Sequence, residues 1–539
     1  NKVICWFRSG RVYKMDQETN KTQIIFRQVL INTLSNYGGK IVTLGIWFFL
    51  TPYILGQLGQ SVYGMWIIVG SLVSYGSLLD FGIANAITKY VAEYQARGDF
   101  EQARSLIATA LWLYTIIGMV AILLGAFLAP IVPSLFNIPL ELHTTFSWLV
   151  FLSGIGLGVS LLGTAPIAVL RGLHRFDMIN LIGISGMLLL AGSTVLALHW
   201  GGGPLGLAAA NILVNLVMQI PAVWLIRRNA RHLHFGWKGA KRSHIRTVAG
   251  FSSALFVINI AGQLRAKTDE IVVGTFLSVS NVTPYSIAHR LSELPQILTE
   301  QFMKVLMPLA SKLHSENDQG RLRQLYLIST RLTLAIFLPL GLGITILAKP
   351  FLSAWVGIEY APYAGLVLLL VCASLFDTLM WPANFILQGM ARHRLLAIAA
   401  IASGLVNLAI SIALVRPLGL AGVALGTLIP TVLECLLFVI PYSMRVIGIN
   451  LRTALREIYL PVIAPSILMG VVLIVLRYLV NPVAMISILA VGILGFTVYA
   501  AIYISIGASS LERHNFLELA HNTLQSIRLR LKPRHSDTE

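Results

Sequence analysis

Charge is what this sequence has least of. Only 12% of its 539 residues are Asp, Glu, Lys or Arg, against roughly 25% in a soluble globular protein, which excludes an ordinary water-facing surface. Cysteine is scarce as well. Cys5, Cys372 and Cys435 are far apart and two of them lie in apolar runs, so no disulfide framework or Cys/His metal cluster is expected. There is no GxxxxGK[ST] loop to cradle nucleotide phosphates, and no HExxH or GxSxG motif for hydrolysis. No cofactor or metal is expected. The apolar/polar alternation of a transmembrane β-barrel is missing. The start of the chain has no long apolar stretch followed by a small-residue cleavage site, so no signal peptide is read there. Met15 opens a polar leader, MDQETNKT, and residues 1–14 are expected to take no part in the fold.

What is abundant is apolar length. Hydrophobic residues make up 56% of the chain. They gather in runs of roughly 20, each able to cross a hydrocarbon core of about 30 Å as a helix. Backbone groups at that depth must be satisfied within helices. The pattern predicts an all-α polytopic membrane protein with about fourteen spans, at 29–52, 61–90, 105–130, 145–169, 178–199, 205–226, 248–277, 283–309, 326–348, 362–388, 395–415, 418–441, 459–479 and 484–506. The loops between them alternate in charge. One set carries Arg97 and Arg104, Arg171 and Arg175, Arg321 and Arg323, Arg392 and Arg394, and Arg452 and Arg456. The other set is nearly bare, its exceptions being Lys349, Arg416 and Arg477. The positive-inside rule places the first set in the cytoplasm, and both ends of the chain with it. The same distribution accounts for the net charge of +18 without nucleic acid.

An internal repeat divides the chain. VLRGLHR at 169–175 matches ILQGMAR at 386–392, PLGLA recurs at 204–208 and 417–421, and RGDFEQAR at 97–104 has a weaker counterpart in ENDQGRLR at 316–323. LGQSVYGMW at 58–66 is echoed by LSVSNVTPYSIA at 277–288. Helices 1–6 therefore correspond to helices 7–12, and two six-helix units of equal orientation imply a pseudo-two-fold axis along the membrane normal. The expected organisation is a leader at 1–28, an N-lobe at 29–226, a basic cytoplasmic linker at 227–247 and a C-lobe at 248–441. Helices 13 and 14 with their preceding loop occupy 442–506, and a cytoplasmic tail 507–539. A central cavity is expected between the lobes. Helices 13 and 14 fall outside the repeat, where a lipid-facing groove is one role for them. The basic linker suits anionic headgroups or a hinge. The tail residues Phe516, Leu517, Leu519, Leu524, Ile527 and Leu529 read as one side of a surface amphipathic helix.

The few charges within the spans are costly, at about 2.5–3.5 kcal/mol each on insertion scales, and so point to function. Asn32, Asn36 and Lys40 share a face of helix 1, and Ser74, Ser77, Asp80, Ala84 and Thr88 form a stripe on helix 2. Helix 7 carries Arg265, Lys267, Asp269 and Glu270, and helix 8 carries Arg290, Glu293 and Glu300. Arg265–Asp269 and Arg290–Glu293 have the spacing of local ion pairs, and Lys40 with Asp80 is a third pairing. Otherwise these groups line a wet cavity, whose cations suit an anionic group such as a pyrophosphate. Asp377 and Glu434 are single acids that read either as neutral core residues or as proton carriers.

The run from Gln28 to Ile107, with TDEIVVGTFLSVSNVTPYSIAHRL at 268–291, resembles the bacterial polysaccharide flippases of the multidrug/oligosaccharidyl-lipid/polysaccharide exporter superfamily. The resemblance covers about residues 25–506. It implies fourteen helices in two lobes around a cationic cavity, and outward translocation of an undecaprenyl-pyrophosphate-linked oligosaccharide for O-antigen, capsule or exopolysaccharide assembly in the bacterial inner membrane. On that resemblance Lys40, Asp80, Arg265, Lys267, Asp269 and Arg290 match cavity residues; Lys40, Asp80, Arg265, Lys267 and Arg290, with Asn36 from the helix 1 face that carries Lys40, are candidate substrate-binding residues. Asp269, Glu270, Glu293 and Glu300 are candidates for coupling to H+ or Na+. A polysaccharide polymerase and glycosyltransferases are candidate partners. A cation-coupled drug exporter of the same superfamily is the nearest alternative. A membrane glycosyltransferase or polymerase is the alternative of another class, but it needs a larger extramembrane loop than any present here.

Overall fold

In the computed structural model, residues 4–230, 233, 236–303 and 305–507 are described. Their side chains are described except at 4–38, 41, 229, 247, 249–259, 261, 264–266, 301 and 302. The amphipathic tail, the first three residues of the leader, and the side chains of Asn32, Asn36 and Arg265 lie outside these. The fold is helical throughout, and no strand occurs among the described residues. Eleven helical segments among the described residues are long and apolar enough to cross a membrane. Their outward faces carry Phe127, Leu188, Ile220, Leu437 and Ile493, all exposed. That surface is one for hydrocarbon, because apolar side chains facing lipid cost nothing while the backbone is satisfied within each helix. The chain is a multi-pass membrane protein. It divides into two compact units, Asn1–Thr283 and Pro284–Glu539.

The first unit holds α1 (Ile4–Gly76), α2 (Ile83–Arg97), α3 (Phe100–Leu128), α4 (His143–Gly172), α5 (Phe176–His199), α6 (Gly203–Asn229) and α7 (Arg242–Phe276). It also holds the start of α8 (Val279–Met303). Gly59, at φ 74° and ψ 167°, breaks α1 into two helices. The helix after the break runs so close to the next repeat that a Cβ at Gly64 would collide with the Val279 carbonyl oxygen. Beside it, Gln60 donates to the Ser280 carbonyl (2.9 Å), and the Thr283 hydroxyl donates to the Gln60 carbonyl (2.7 Å). The two echoing segments at 58–66 and 277–288 thus meet. α3 packs on α4 through glycine: a Cβ on Gly154 would lie 2.8 Å from the Gly125 Cα, the close approach that small residues permit between membrane helices. Ile87, Leu106, Tyr114, Leu170 and Ile226 fill the core beneath. The basic stretch before α7 is tied to α3: Ser105 donates to the Gly239 carbonyl (2.7 Å), and the Trp112 indole donates to the Trp237 carbonyl (3.2 Å).

The second helical span differs from expectation. A continuous helix over 61–90 is not formed. α1 ends at Gly76, Ser77–Asp80 make a 3-10 turn, and Phe81 and Gly82 are left-handed at φ 49° and 79° before α2 begins. Gly82 takes up the reversed backbone at little cost. Its freed N–H is satisfied by the Asp80 carboxylate (3.1 Å), as a backbone donor outside a helix ladder requires.

The second unit contains α9 (Gln319–Trp355), α10 (Ala364–Gly389), α11 (Arg394–Leu418), α12 (Leu420–Leu433), α13 (Leu460–Val480) and α14 (Met485–Ile502). Its core gathers Met303, Tyr326, Met380, Ile386, Cys435 and Val462. π-helical turns occur at Glu434–Val439, Leu455–Tyr459 and Tyr503–Gly507. Arg477, one of the exceptions to the charge rule, donates to the Ile346 carbonyl (2.7 Å) and so satisfies an acceptor in α9.

The repeat is written in the backbone of each unit. His174 and Ala391, the sixth residues of VLRGLHR and ILQGMAR, are both left-handed (φ 55° and 57°). The next N–H bonds back to Leu170 in one copy and to Leu387 in the other. Asp99 and Asp318 each cap the following helix, accepting from the N–H of Gln102 and Arg321, and each follows a left-handed residue, Gly98 or Asn317. The PLGLA copies differ. The first opens α6, whereas the second straddles the turn at Gly419 (φ 60°) between α11 and α12.

Candidate functional site

The break in the second span positions Asp80. Its carboxylate accepts the hydroxyl of Tyr114, fully buried on α3, as well as the Gly82 N–H. Lys40 is exposed and makes no ion pair among the described residues, so the Lys40–Asp80 pairing is not formed. The stripe read on helix 2 is divided by the break. Thr88 turns its hydroxyl to the Ala84 and Ala168 carbonyls (2.8 and 3.3 Å), and Asp80 turns to Tyr114.

α7 brings its charges against the second half of α1. Glu270, with 3% of its side chain exposed, lies 3.6 Å from the Lys267 ammonium and accepts from the Ser71 hydroxyl (3.3 Å). Next to Lys267, Thr268 shares a 2.6 Å hydrogen bond with Tyr75, and Asp269 is buried too. A carboxylate so buried is tolerable only with a counter-charge and hydrogen bonds, and Lys267 with Ser71 supplies both. Lys267 remains about a quarter exposed, which leaves its ammonium access to a further anion. In the second unit Arg290 is exposed and Glu293 half-buried, and no ion pair joins them among the described residues. Glu300 is also half-buried. Asp377 accepts from Gln296 (3.1 Å) and from the Trp381 indole (3.2 Å), and Glu434 is buried at the head of a π turn.

Two grooves complete the picture, the second at the two C-terminal helices for which a lipid-facing groove is one expected role. Within the first unit, two adjoining cavities of about 430 and 340 Å³ share Ser160 and Asn215 and run along α4 and α6. Their signal in the sequence is spacing: Asn211, Asn215 and Gln219 recur every four residues on α6, and Ser153, Ser160 and Thr164 share one side of α4. Being uncharged, these residues are cheap enough to pass for ordinary helix polarity. Within the second unit, a cavity of about 350 Å³ between α8, α9, α13 and α14 is lined by Leu294, Leu340, Leu347, Phe351, Ile488 and Phe496, among other residues, with Gly343 and Gly492 leaving the space open.

The profile of a family described as polysaccharide biosynthesis protein matches residues 58–365. A probable low-salt glycan biosynthesis flippase of Haloferax volcanii, Agl15, is 22% identical over 404 residues, covering 72% of this chain and 77% of that protein. Among solved structures, the lipid II flippase MurJ in an inward closed conformation aligns with a TM-score of 0.65 at 15% identity, over 88% of this chain and 99% of that one. An inward-facing multidrug resistance MATE family transporter of the MOP superfamily aligns with a TM-score of 0.61 at 17% identity, over 76% and 98%. At such identities these structures speak for the fold.

Proposed function

The chain belongs to the polysaccharide biosynthesis protein family, and from that premise we propose that it is a flippase for a lipid-linked oligosaccharide. It is a transporter that makes and breaks no bond in its cargo. The cargo is an undecaprenyl-pyrophosphate-linked sugar unit, moved from the inner to the outer leaflet of the bacterial inner membrane. Fourteen spans with both ends cytoplasmic make up the transport domain, and a polymerase and glycosyltransferases act on either side of the step. The observation that carries the reading is the family match over residues 58–365, with the glycan flippase relative beside it.

The physical problem such a protein solves is to carry a polar, charged head through hydrocarbon while leaving its tail there. Each ionised group at bilayer depth costs about 2.5–3.5 kcal/mol unless it is paired. Lys40, Arg265 and Lys267 are the cations assigned to the pyrophosphate, with Lys40 open to a ligand and Lys267 poised by Glu270. Arginine would supply bidentate bonds to phosphate oxygens, and lysine point charge. The apolar groove between α8, α9, α13 and α14 suits the polyprenyl tail, each buried methylene contributing about 0.8 kcal/mol. Glu270, Asp269, Glu293 and Glu300 are assigned to H+ or Na+ coupling.

The test is outward movement of an undecaprenyl-pyrophosphate-linked oligosaccharide in proteoliposomes, read by digestion with an external glycosidase. Lys40→Ala, Arg265→Ala and Lys267→Ala are each expected to abolish movement while the protein inserts normally. Normal transport in all three removes the cation assignment, and a wild type that moves nothing removes the function.

A further inference from the structure

We infer that the groove between α1, α4 and α6 inside the first unit is a binding site for the neutral sugar chain of the cargo, separate from the charged residues of α7. The walls of the two adjoining cavities carry hydroxyls and amides and no acid, and their one ionised side chain is Arg171 at one end. A cationic drug would need a carboxylate or an aromatic cage, and a pyrophosphate several cations; neither set lines this groove. Sugars ask instead for many uncharged donors and acceptors and for an aromatic face against their C–H side.

The hydrogen-bonding state of the walls fits that ligand. Ser74 and Thr164 donate to their own helices (2.9 and 3.1 Å), so their free lone pairs accept. The Asn215 amide donates to the backbone and side-chain oxygens of Asn211 (2.9 and 2.8 Å) and the Gln219 amide to the Val159 carbonyl (2.9 Å), which leaves both amide oxygens available as acceptors. Ser153 and Ser160 make no side-chain hydrogen bond among the described residues and keep both functions open. Trp66 adds the aromatic surface. The lining of α4 runs from Leu152 to Arg171, about 28 Å of helix, long enough for several sugars. Such a row of polar groups facing lipid would carry an unpaid desolvation cost. Facing a groove, it awaits a ligand that replaces water.

This assignment rests on the transport reading only for its choice of probe. The full chain in lipid nanodiscs is titrated with undecaprenyl pyrophosphate carrying an oligosaccharide and with the same lipid bearing none. The glycosylated lipid is expected to bind at least about tenfold more tightly, since each hydrogen bond to sugar is worth about fivefold. Ser160→Trp, which fills the groove from an exposed position, and the milder pair Ser153→Ala with Ser160→Ala are expected to erase most of that preference. The affinity for sugar-free lipid and the thermal transition should stay as in the wild type. Equal binding of the two lipids by the wild type overturns the assignment, as does a preference that survives both variants. A wild type that keeps the preference but moves no lipid in proteoliposomes supports the groove and overturns the transport reading.

Discussion

Removing the Asp80 carboxylate tests whether the break in the second span is held in place or merely tolerated. Tyr114 donates to one oxygen and the Gly82 N–H to the other. A hydrogen bond to a charged group contributes about 1.5–3 kcal/mol, and a buried hydroxyl left without a partner costs about 1–3 kcal/mol. Asp80→Ala loses both bonds and strands the Tyr114 hydroxyl in a fully buried position, so a loss of about 3 kcal/mol is expected. Tyr114→Phe loses one bond and leaves a carboxylate that is half-exposed and still bound to Gly82, for about 1.5 kcal/mol. In the double variant only the Gly82 N–H loses its partner and no Tyr114 hydroxyl is left stranded, so its cost should fall short of the sum of the singles by about 1–2 kcal/mol. Reversible unfolding in mixed micelles measures all four proteins. Additive costs, or an Asp80→Ala variant within about 0.5 kcal/mol of wild type, would refute the capping account. Asp80→Asn keeps one acceptor oxygen, for the Gly82 N–H, and sets its NH2 against a Tyr114 hydroxyl that can turn to accept, so it should lose less stability than Asp80→Ala. Loss of transport in that variant alone would mark a role for the charge beyond the cap.

Gly154→Val should destabilise the first unit by about 1–3 kcal/mol, because its new Cβ meets the Gly125 backbone at 2.8 Å, whereas Gly183→Ala, with nothing within 4 Å, should be neutral or mildly stabilising; equal thermal shifts would contradict the packing. Burial, with Lys241 adding to it, holds the His244 imidazole below its ordinary value. The folded state therefore binds fewer protons than the unfolded one just below about pH 6.5, and stability falls as pH drops through that window. His244→Phe should flatten the acid side of a Tm profile, and an unchanged profile would count against it. Gly343→Leu with Gly492→Leu fills the apolar groove of the second unit and should weaken binding of undecaprenyl pyrophosphate at least about tenfold, a shift of about 1.4 kcal/mol. Undiminished binding would remove the tail from that groove.

Much of the molecule was legible in one dimension. The repeated turns at His174 and Ala391 and the caps at Asp99 and Asp318 were visible as matching strings, because a cap or a helix-ending turn is specified by a few consecutive residues. The helix break at Asp80 was not. Its stripe reads as a continuous helical face, and only the presence of Tyr114, thirty-four residues on, gives the carboxylate a reason to turn out of register. Lys267 and Glu270 were seen as neighbours on one helix. That Ser71 completes the triad depends on which face of α1 meets α7.

The sequence alone determined that this chain is helical, that it crosses a membrane many times, and that it carries two copies of one pattern. Hydropathy, loop charge and turn chemistry act locally and leave their mark on successive residues. Tertiary structure alone decided which polar groups neutralise one another and where space is left. The polar groove along α4 and α6 and the apolar one beside α13 and α14 exist because helices distant in the chain approach without filling the gap between them, and a cavity is a property of that packing rather than of any segment.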